Sequence, residues 1–79
     1  IFHIGDSFTV YDIYYDGSTI LLSCGSNGVL IYNWIAGQTV EPFFVGHITS
    51  SYAYTAVKYG SSTIMIGTKN GIEVYNIGI

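Results

Sequence analysis

The sequence predicts an all-β fold, and three observations support that prediction. Tyr, Ile, Val, Thr and Phe dominate the chain and favour strands, whereas residues with a strong helix preference are scarce. The sequence repeats itself once with a period of 43 to 44 residues. An Asn-Gly pair, the strongest short signal for a β-hairpin, recurs in both copies between apolar runs. We therefore expect two consecutive antiparallel sheets of the same design.

The repeat aligns residues 15–33 with residues 59–76, with one additional residue in the first copy near Gly25. Eight of the eighteen aligned positions are identical, where chance would give roughly one or two. Identities include the Ser-Thr-Ile segments at 18–20 and 62–64 and the Tyr-Asn pairs at 32–33 and 75–76. The two copies should therefore share one local structure.

Each copy is predicted to hold three strands joined by two turns. The strands are expected at residues 9–15, 20–24 and 29–33 in the first copy, and at residues 53–59, 64–68 and 72–76 in the second. The first turn falls at residues 16–17 or 60–61, and the second at the Asn-Gly pair, residues 27–28 or 70–71. Because Asn and Gly both tolerate a positive φ, we expect a type I′ turn there.

A fourth strand is predicted over residues 40–45, with Pro42 inside it. Proline lacks a backbone N–H and is confined to edge strands or bulges, so this strand should form an outer edge. Residues 1–4 hold the same place ahead of the first copy and should form an outer strand as well. We divide the chain into an outer strand of a preceding sheet at residues 1–5, a first blade at 6–46, and a second blade at 47–79 that lacks its outer strand.

The middle strands are apolar at consecutive positions, at residues 20–22 and 64–66. A sheet with one solvent-facing side would alternate apolar and polar residues instead. The blades of a β-propeller stack around an axis and bury both faces, and the repeat period is in the range of such blades. The predicted fold is therefore two four-stranded antiparallel blades of a β-propeller, with a ring completed by further blades of the same chain or of other copies.

Residues 14–33, followed by Gly46-His47, resemble a WD-repeat blade, although Tyr-Asn stands at 32–33 and 75–76 where that family has Trp-Asp. Residues 42–46, 52–57 and 70–77 are similar to the LVIVD-type propeller repeats of surface proteins. Both resemblances imply a propeller. They also imply that the first strand of each repeat is innermost and that the start of the next repeat supplies the outermost strand.

Composition limits the classes of partner. The chain is 49% hydrophobic and only 9% charged, so we expect something to cover much of its surface. The net charge is −3, and Lys58 and Lys69 are the only basic residues, which disfavours nucleic acid because phosphate binding needs clustered cations. The apolar runs are a few residues long, far below the ~20 that a helical membrane span needs.

Aromatic residues at strand ends are the candidate binding residues, because they can line a ligand groove or stack on a sugar. The alternative role is packing between blades. The candidates are Trp34, Tyr14, Tyr52 and Tyr54. Structural roles are predicted for His47, Asn27, Gly28, Asn70, Gly71, Tyr32 and Tyr75. His3 and His47 stand at equivalent points of the two copies, which suits a hydrogen bond that orients each blade.

Catalytic chemistry has little support in the sequence. Asp12 and Asp16 align with Ala56 and Gly60 in the second copy, and Cys24 has no neighbouring cation that would lower its pKa. No pattern of metal ligands appears, and no cofactor is predicted. We therefore expect a non-catalytic scaffold for protein–protein interaction or self-assembly. The alternative function is a lectin-like, carbohydrate-binding propeller.

Overall fold

The computed structural model describes residues 4, 7–35, 37, 39–60 and 62–76, and every regular element among them is a β-strand. The strands are β1 Asp12–Tyr15, β2 Thr19–Ser23, β3 Val29–Asn33, β4 Phe43–Ile48, β5 Ala53–Tyr59, β6 Thr63–Thr68 and β7 Gly71–Asn76. They form one antiparallel sheet in the order β1-β2-β3-β4 and another in the order β5-β6-β7. The predicted all-β class and the antiparallel pairing are confirmed.

The fourth strand differs from its prediction. It begins at Phe43, three residues later than predicted, and Pro42 lies before it rather than inside it. A residue without an N–H therefore stays outside the hydrogen-bonded ladder, which satisfies the constraint on proline in another way. β4 pairs with β3 at the edge of its sheet, as predicted, but it continues to Ile48 and so includes Gly46 and His47.

The second sheet has three strands within the described residues, so two four-stranded sheets are not found there. The strand predicted at residues 1–4 lies outside the described residues except for Ile4, which is not in a strand.

The middle of the first sheet is buried on both faces, as shown by β2 and the first three residues of β3, and this accounts for the consecutive apolar residues of β2. One face packs against the second sheet and contributes to a core cluster of Leu21, Val29, Ile31, Ile48, Ala53, Ala56, Ile64 and Ile66. The opposite face holds Ile20, Leu22, Cys24 and Leu30, covered by Ile4, Phe8, Tyr32 and Trp34. Alternate residues of β2 thus enter two different cores.

The Asn-Gly turns are not of type I′. Gly28 and Gly71 have φ values of +77° and +118°, whereas no described residue other than glycine has a positive φ. A type I′ turn requires a positive φ at both central residues. Local hydrogen bonds hold the asparagines instead: the Asn27 N–H donates to the Cys24 carbonyl at 3.0 Å, and the Asn70 N–H donates to Thr68 Oγ1 at 3.0 Å.

Strands β1 and β5 lie side by side and run in the same direction. Near their beginnings, Thr55 Oγ1 donates to Asp12 Oδ2 at 2.6 Å. Further along, the Tyr14 hydroxyl donates to the Lys58 carbonyl at 3.3 Å, and Lys58 Nζ lies 3.6 Å from Asp16 Oδ2. These contacts hold the two sheets in a fixed register along their shared core.

Candidate functional site

Two of the four predicted binding residues, Tyr52 and Tyr54, lie together at one end of the junction between the sheets. Their ring centroids are 5.1 Å apart. Tyr11 joins them from the first sheet, with its ring centroid 6.1 Å from that of Tyr52 and a hydroxyl-to-hydroxyl distance of 3.0 Å. We call Tyr11, Tyr52 and Tyr54 the tyrosine cluster. Tyr11 was missed in the sequence because it aligns with Thr55 in the repeat, and only the packing of the sheets brings it to Tyr52.

Gly25 forms the base of the tyrosine cluster. Its N–H donates to the Ala53 carbonyl at 2.8 Å, and the Ala53 N–H donates to the Gly25 carbonyl at 2.9 Å. A Cβ atom added at Gly25 would lie 2.7 Å from the Tyr11 ring and 2.9 Å from the Tyr52 ring. The two rings therefore pack directly on the glycine backbone, where a larger residue would displace them.

One charged side chain lies beside the tyrosine cluster. Lys69 places its ammonium 5.5 Å from the centroid of the Tyr52 ring, within the range of a cation–π contact. Within the described part of the chain no carboxylate forms an ion pair with Lys69, whereas Lys58 pairs with Asp16. Asp12, next to Tyr11, accepts the hydrogen bond from Thr55, next to Tyr54. The cluster thus has one cation beside it, Lys69.

The hydroxyl group of Tyr52 stays protonated at neutral pH. The hydrogen bond with Tyr11 raises the pKa of Tyr52 above its ordinary value of 10.0, and desolvation and the neighbouring tyrosines raise it further. A neutral phenol can both donate and accept a hydrogen bond. The site can therefore offer hydroxyl groups to a ligand as well as ring faces.

Tyr14 and Trp34, the other predicted binding residues, lie elsewhere. Tyr14 is half-buried, packs against the core between the sheets and donates its hydroxyl to Lys58. Trp34 packs on the outer face of the first sheet, and its Nε1–H donates to the Val40 carbonyl at 3.0 Å. Trp34 follows β3 at the end of the sheet where Tyr15 pairs with Ile20, opposite the end where Gly25 bridges to Ala53. The four candidates therefore do not form one site.

Several predicted structural residues do hold the first sheet together. His47, on β4, donates from Nε2 to the carbonyl oxygen of Asn27, so it braces the Asn-Gly turn within its own sheet. A Cβ at Gly28 would lie 2.0 Å from the Ile48 carbonyl oxygen, which leaves room only for glycine. The Tyr32 ring meets Phe44 of β4 edge-on at 5.4 Å. His3, the predicted counterpart of His47, lies outside the described residues.

The corresponding residues of the second copy make different contacts because β7 has no neighbouring outer strand among the described residues. Nothing lies within 4 Å of a Cβ added at Gly71. The Asn70 side chain is exposed, and the backbone N–H of Asn70 donates to Thr68 Oγ1. Tyr75 packs against the core, and its hydroxyl lies 3.0 Å from the Thr49 carbonyl and 3.2 Å from Glu73 Oε1. Tyr75 thus ties β7 to the connection between the sheets.

The second sheet leaves one of its faces open. In the strand registers, Val57 pairs with Met65 and Met65 with Val74, so the three side chains form one row. Tyr59 and Ile72 lie on the same face, two residues from Val57 and Val74. We call these five residues the open face. All but the half-buried Met65 are exposed, and Val74 is 62% exposed.

The open face has a buried counterpart in the first sheet. There Tyr14 pairs with Leu21 and Leu21 with Ile31, again in one row. Leu21 and Ile31 align with Met65 and Val74 in the repeat. Yet Leu21 is 0% exposed, because this row packs against the second sheet. The face by which the first sheet contacts the second is thus repeated on the second sheet and left uncovered.

Reactive groups are not assembled in the described residues. Desolvation by burial raises the pKa of Cys24 above its ordinary value of 9.0, which makes the thiolate scarce at neutral pH. Asp16 Oδ1 accepts hydrogen bonds from the backbone N–H groups of Ser18 and Thr19 at 3.1 and 2.8 Å. Its carboxylate therefore stabilises the turn between β1 and β2. In residues 4, 7–35, 37, 39–60 and 62–76 no three His, Cys, Asp or Glu side chains are grouped to hold a metal ion. No helix in this part of the chain is long and apolar enough to cross a membrane.

No family model matches the sequence, and comparisons with curated proteins and with solved structures find no match.

Proposed function

We propose that the chain is a non-catalytic scaffold whose sheets are blades of a β-propeller, joined to further blades of the same repeat. The equivalence of the open face with the buried row around Leu21 carries this proposal. The first sheet presents that row to the second, so the second sheet can present its own row to another sheet in the same way. The contact joins two different faces and therefore repeats until a ring closes.

The composition of the open face suits burial by a protein partner. Val57, Val74 and Ile72 are apolar and exposed, and the face carries no charged residue among its five members. Burying apolar surface gives roughly 25 cal/mol for each Å² removed from water. Contiguous apolar surface of this kind on a soluble domain marks an interaction site.

The edge of the second sheet supports the same proposal. In the first sheet β3 is covered by β4, whereas β7, the counterpart of β3, has no strand beyond it in the described residues. An open edge presents unpaired backbone groups that pair readily with another strand. A further blade could therefore bring both a sheet against the open face and a strand against β7.

Ile4 adds support from the other end of the chain. It lies 44 residues before Ile48, close to the repeat period, and both are followed by the connection into the next sheet. Ile48 belongs to the core that includes Ile64 and Ile66, and Ile4 packs against the core of Ile20 and Leu22. Each isoleucine thus covers the matching face of the sheet that follows it, as the end of a preceding blade would.

The experiment is a measurement of assembly over a range of concentrations by sedimentation velocity and native mass spectrometry. We expect the chain to form closed oligomers, with rings of about 4–8 blades. Val74→Lys should shift the population towards monomer by placing a charge in the buried contact. Val40→Lys is the matched control, because Val40 is 60% exposed but lies outside the sheets. A chain that stays monomeric at all concentrations, or equal behaviour of both variants, would contradict self-assembly through this face.

A second candidate function, carbohydrate binding, is favoured by the tyrosine cluster. Sugars offer C–H faces to aromatic rings and hydroxyl groups to phenols, and the cluster provides both at the surface. Trp34 does not support this function, because its ring packs on the first sheet and its N–H is bonded to Val40. Titration of the chain with oligosaccharides tests the candidate, and the absence of any saturable response would reject it.

A further inference from the structure

We infer that the tyrosine cluster and Lys69 form a site for a pyranose that carries a carboxylate, such as a uronic acid unit. This inference rests on the second candidate function and narrows it to one class of sugar. It follows from the ring surfaces, from the rigid base beneath them and from the sign of the charge beside them.

The rings offer surface in three orientations. Tyr52 lies between Tyr11 and Tyr54, and its plane is tilted by 43° from the first and 50° from the second. Tyr11 and Tyr54 are each about half exposed, at 53% and 49%, so a ligand can reach them without rearrangement. A saturated ring can pack its C–H groups on one of these faces while its hydroxyls reach the shared Tyr11–Tyr52 hydrogen bond.

The base of the site is fixed before a ligand arrives. The reciprocal hydrogen bonds of Gly25 and Ala53 lock the backbone on which Tyr11 and Tyr52 pack. The bond from Thr55 to Asp12 joins the residues that neighbour Tyr54 and Tyr11 in sequence. A site held by such supporting contacts loses little conformational entropy when a ligand binds. This helps the binding of ligands that form only weak contacts, such as sugars.

The charge beside the rings selects the ligand. Lys69 holds its ammonium over Tyr52, and the described residues provide no carboxylate to neutralise it. Asp12, the carboxylate next to Tyr11 in sequence, accepts a hydrogen bond from Thr55 and forms no ion pair with Lys69 among the described residues. A carboxylate on the ligand can therefore pair with Lys69. One cation is too few for a nucleic acid, whose affinity depends on several phosphate contacts.

The experiment is a titration followed by proton NMR, with trigalacturonic acid as the carboxylated probe and maltotriose as the neutral one. Shifts of the tyrosine ring signals report on the site. The indole N–H of Trp34, the only tryptophan and remote from the cluster, gives one signal that should stay in place. We expect saturable tyrosine shifts with trigalacturonic acid and binding of maltotriose that is about 3- to 5-fold weaker, as for loss of an exposed ion pair.

Three variants refine the test. Tyr54→Ala should weaken binding of trigalacturonic acid about 10-fold through loss of ring contact. Phe43→Ala, 71% exposed on β4 and outside both the tyrosine cluster and the open face, is the matched control and should bind like the parent chain. Lys69→Met should abolish the preference between the two probes, because the group that pairs with the carboxylate is lost. The Trp34 signal and the amide spectrum verify that each variant is folded.

The outcomes are distinct. Equal binding of both probes would overturn the carboxylate inference and leave carbohydrate binding standing. The absence of a saturable response to either probe would overturn the inference together with the second candidate function. A preference for trigalacturonic acid that survives Lys69→Met would also overturn the inference, because the selecting charge would then lie elsewhere.

Discussion

Gly25 and Ala53 exchange two backbone hydrogen bonds, with N···O distances of 2.8 and 2.9 Å, where the first sheet meets the second. The pair is an isolated antiparallel bridge between Gly25, which lies outside the named strands, and Ala53, the first residue of β5. It allows the sheets to approach so closely that two tyrosine rings rest on Gly25. One glycine therefore serves both the packing of the sheets and the shape of the candidate site.

Gly25→Ala should destabilise the fold by about 2–4 kcal/mol, because strain at a positive φ adds to a steric clash. Gly25 has φ +58°, and its added Cβ would meet both ring edges. Gly60→Ala is the matched control, since Gly60 has φ +67° and nothing within 4 Å of the new atom. Chemical denaturation of both variants measures the difference. Equal losses would show that the rings move aside freely.

Gly28→Ala should prevent β4 from keeping its pairing with β3 beside the turn. The new Cβ would come within 2.0 Å of the Ile48 carbonyl oxygen, which belongs to the backbone and cannot rotate away. We expect a loss of about 3 kcal/mol or more, with faster amide exchange in β4. The same Gly60→Ala variant measures the loss of stability that comes from the positive φ alone, without a steric clash. If the Gly28→Ala chain were as stable as that control, the predicted clash with the Ile48 carbonyl oxygen would be wrong.

Asp16 should contribute stability that is lost in acid. Its carboxylate accepts the Thr19 N–H, which is the largest cause of a pKa held below the ordinary value of 3.8, and Lys58 adds to the effect. A folded-state pKa below the unfolded one favours the folded state above about pH 4, and this gain disappears as the pH falls through the folded-state pKa.

Asp16→Asn keeps an acceptor for the Thr19 N–H but removes the titrating group. Its unfolding free energy should therefore fall less steeply between neutral pH and pH 2 than that of the parent chain. Lys58→Met should retain most of the parent's slope, because the backbone hydrogen bond is the larger cause. Denaturant titrations at several pH values measure these slopes. Parallel curves for parent and Asp16→Asn would rule out the contribution.

Cys24 should react slowly with thiol reagents in the folded chain. It is 2% exposed, and burial raises its pKa, so both access and thiolate are limited. At pH 8 we expect labelling on the order of 100-fold slower than in denaturant, because reaction requires local opening of the first sheet. Alkylation followed by intact mass measurement gives both rates. Rapid labelling of the folded chain would show that this core is open.

Local sequence signals were sufficient to predict the strand features that depend on neighbouring residues along the chain. β3 and β5 have the predicted bounds, 29–33 and 53–59, since each lies between turn residues and carries apolar or β-branched side chains. Consecutive apolar residues in β2 predicted burial on both faces, and the two core clusters confirm it. These features follow from composition and turn chemistry alone.

Features set by contacts between the sheets were not predictable in this way. Tyr15 faces Ile20 in the first sheet, whereas Lys58 faces Ile64 in the second, because the first turns of the two copies differ by one residue. The repeat alignment therefore misplaced the first strands by one position. The sequence also gives no sign that Tyr11 meets Tyr52, because only the packing of the two sheets brings these residues together.

The open edge at β7 has a consequence for the motions of the molecule. Amide protection should fall from β2, buried between two cores, towards β7, which has no neighbouring strand on its outer side among the described residues. Opening should then proceed as a graded fraying from β7 inwards, with the first sheet as the most persistent unit. A blade paired with that edge would slow the opening of β7, which is the first of these unfolding steps.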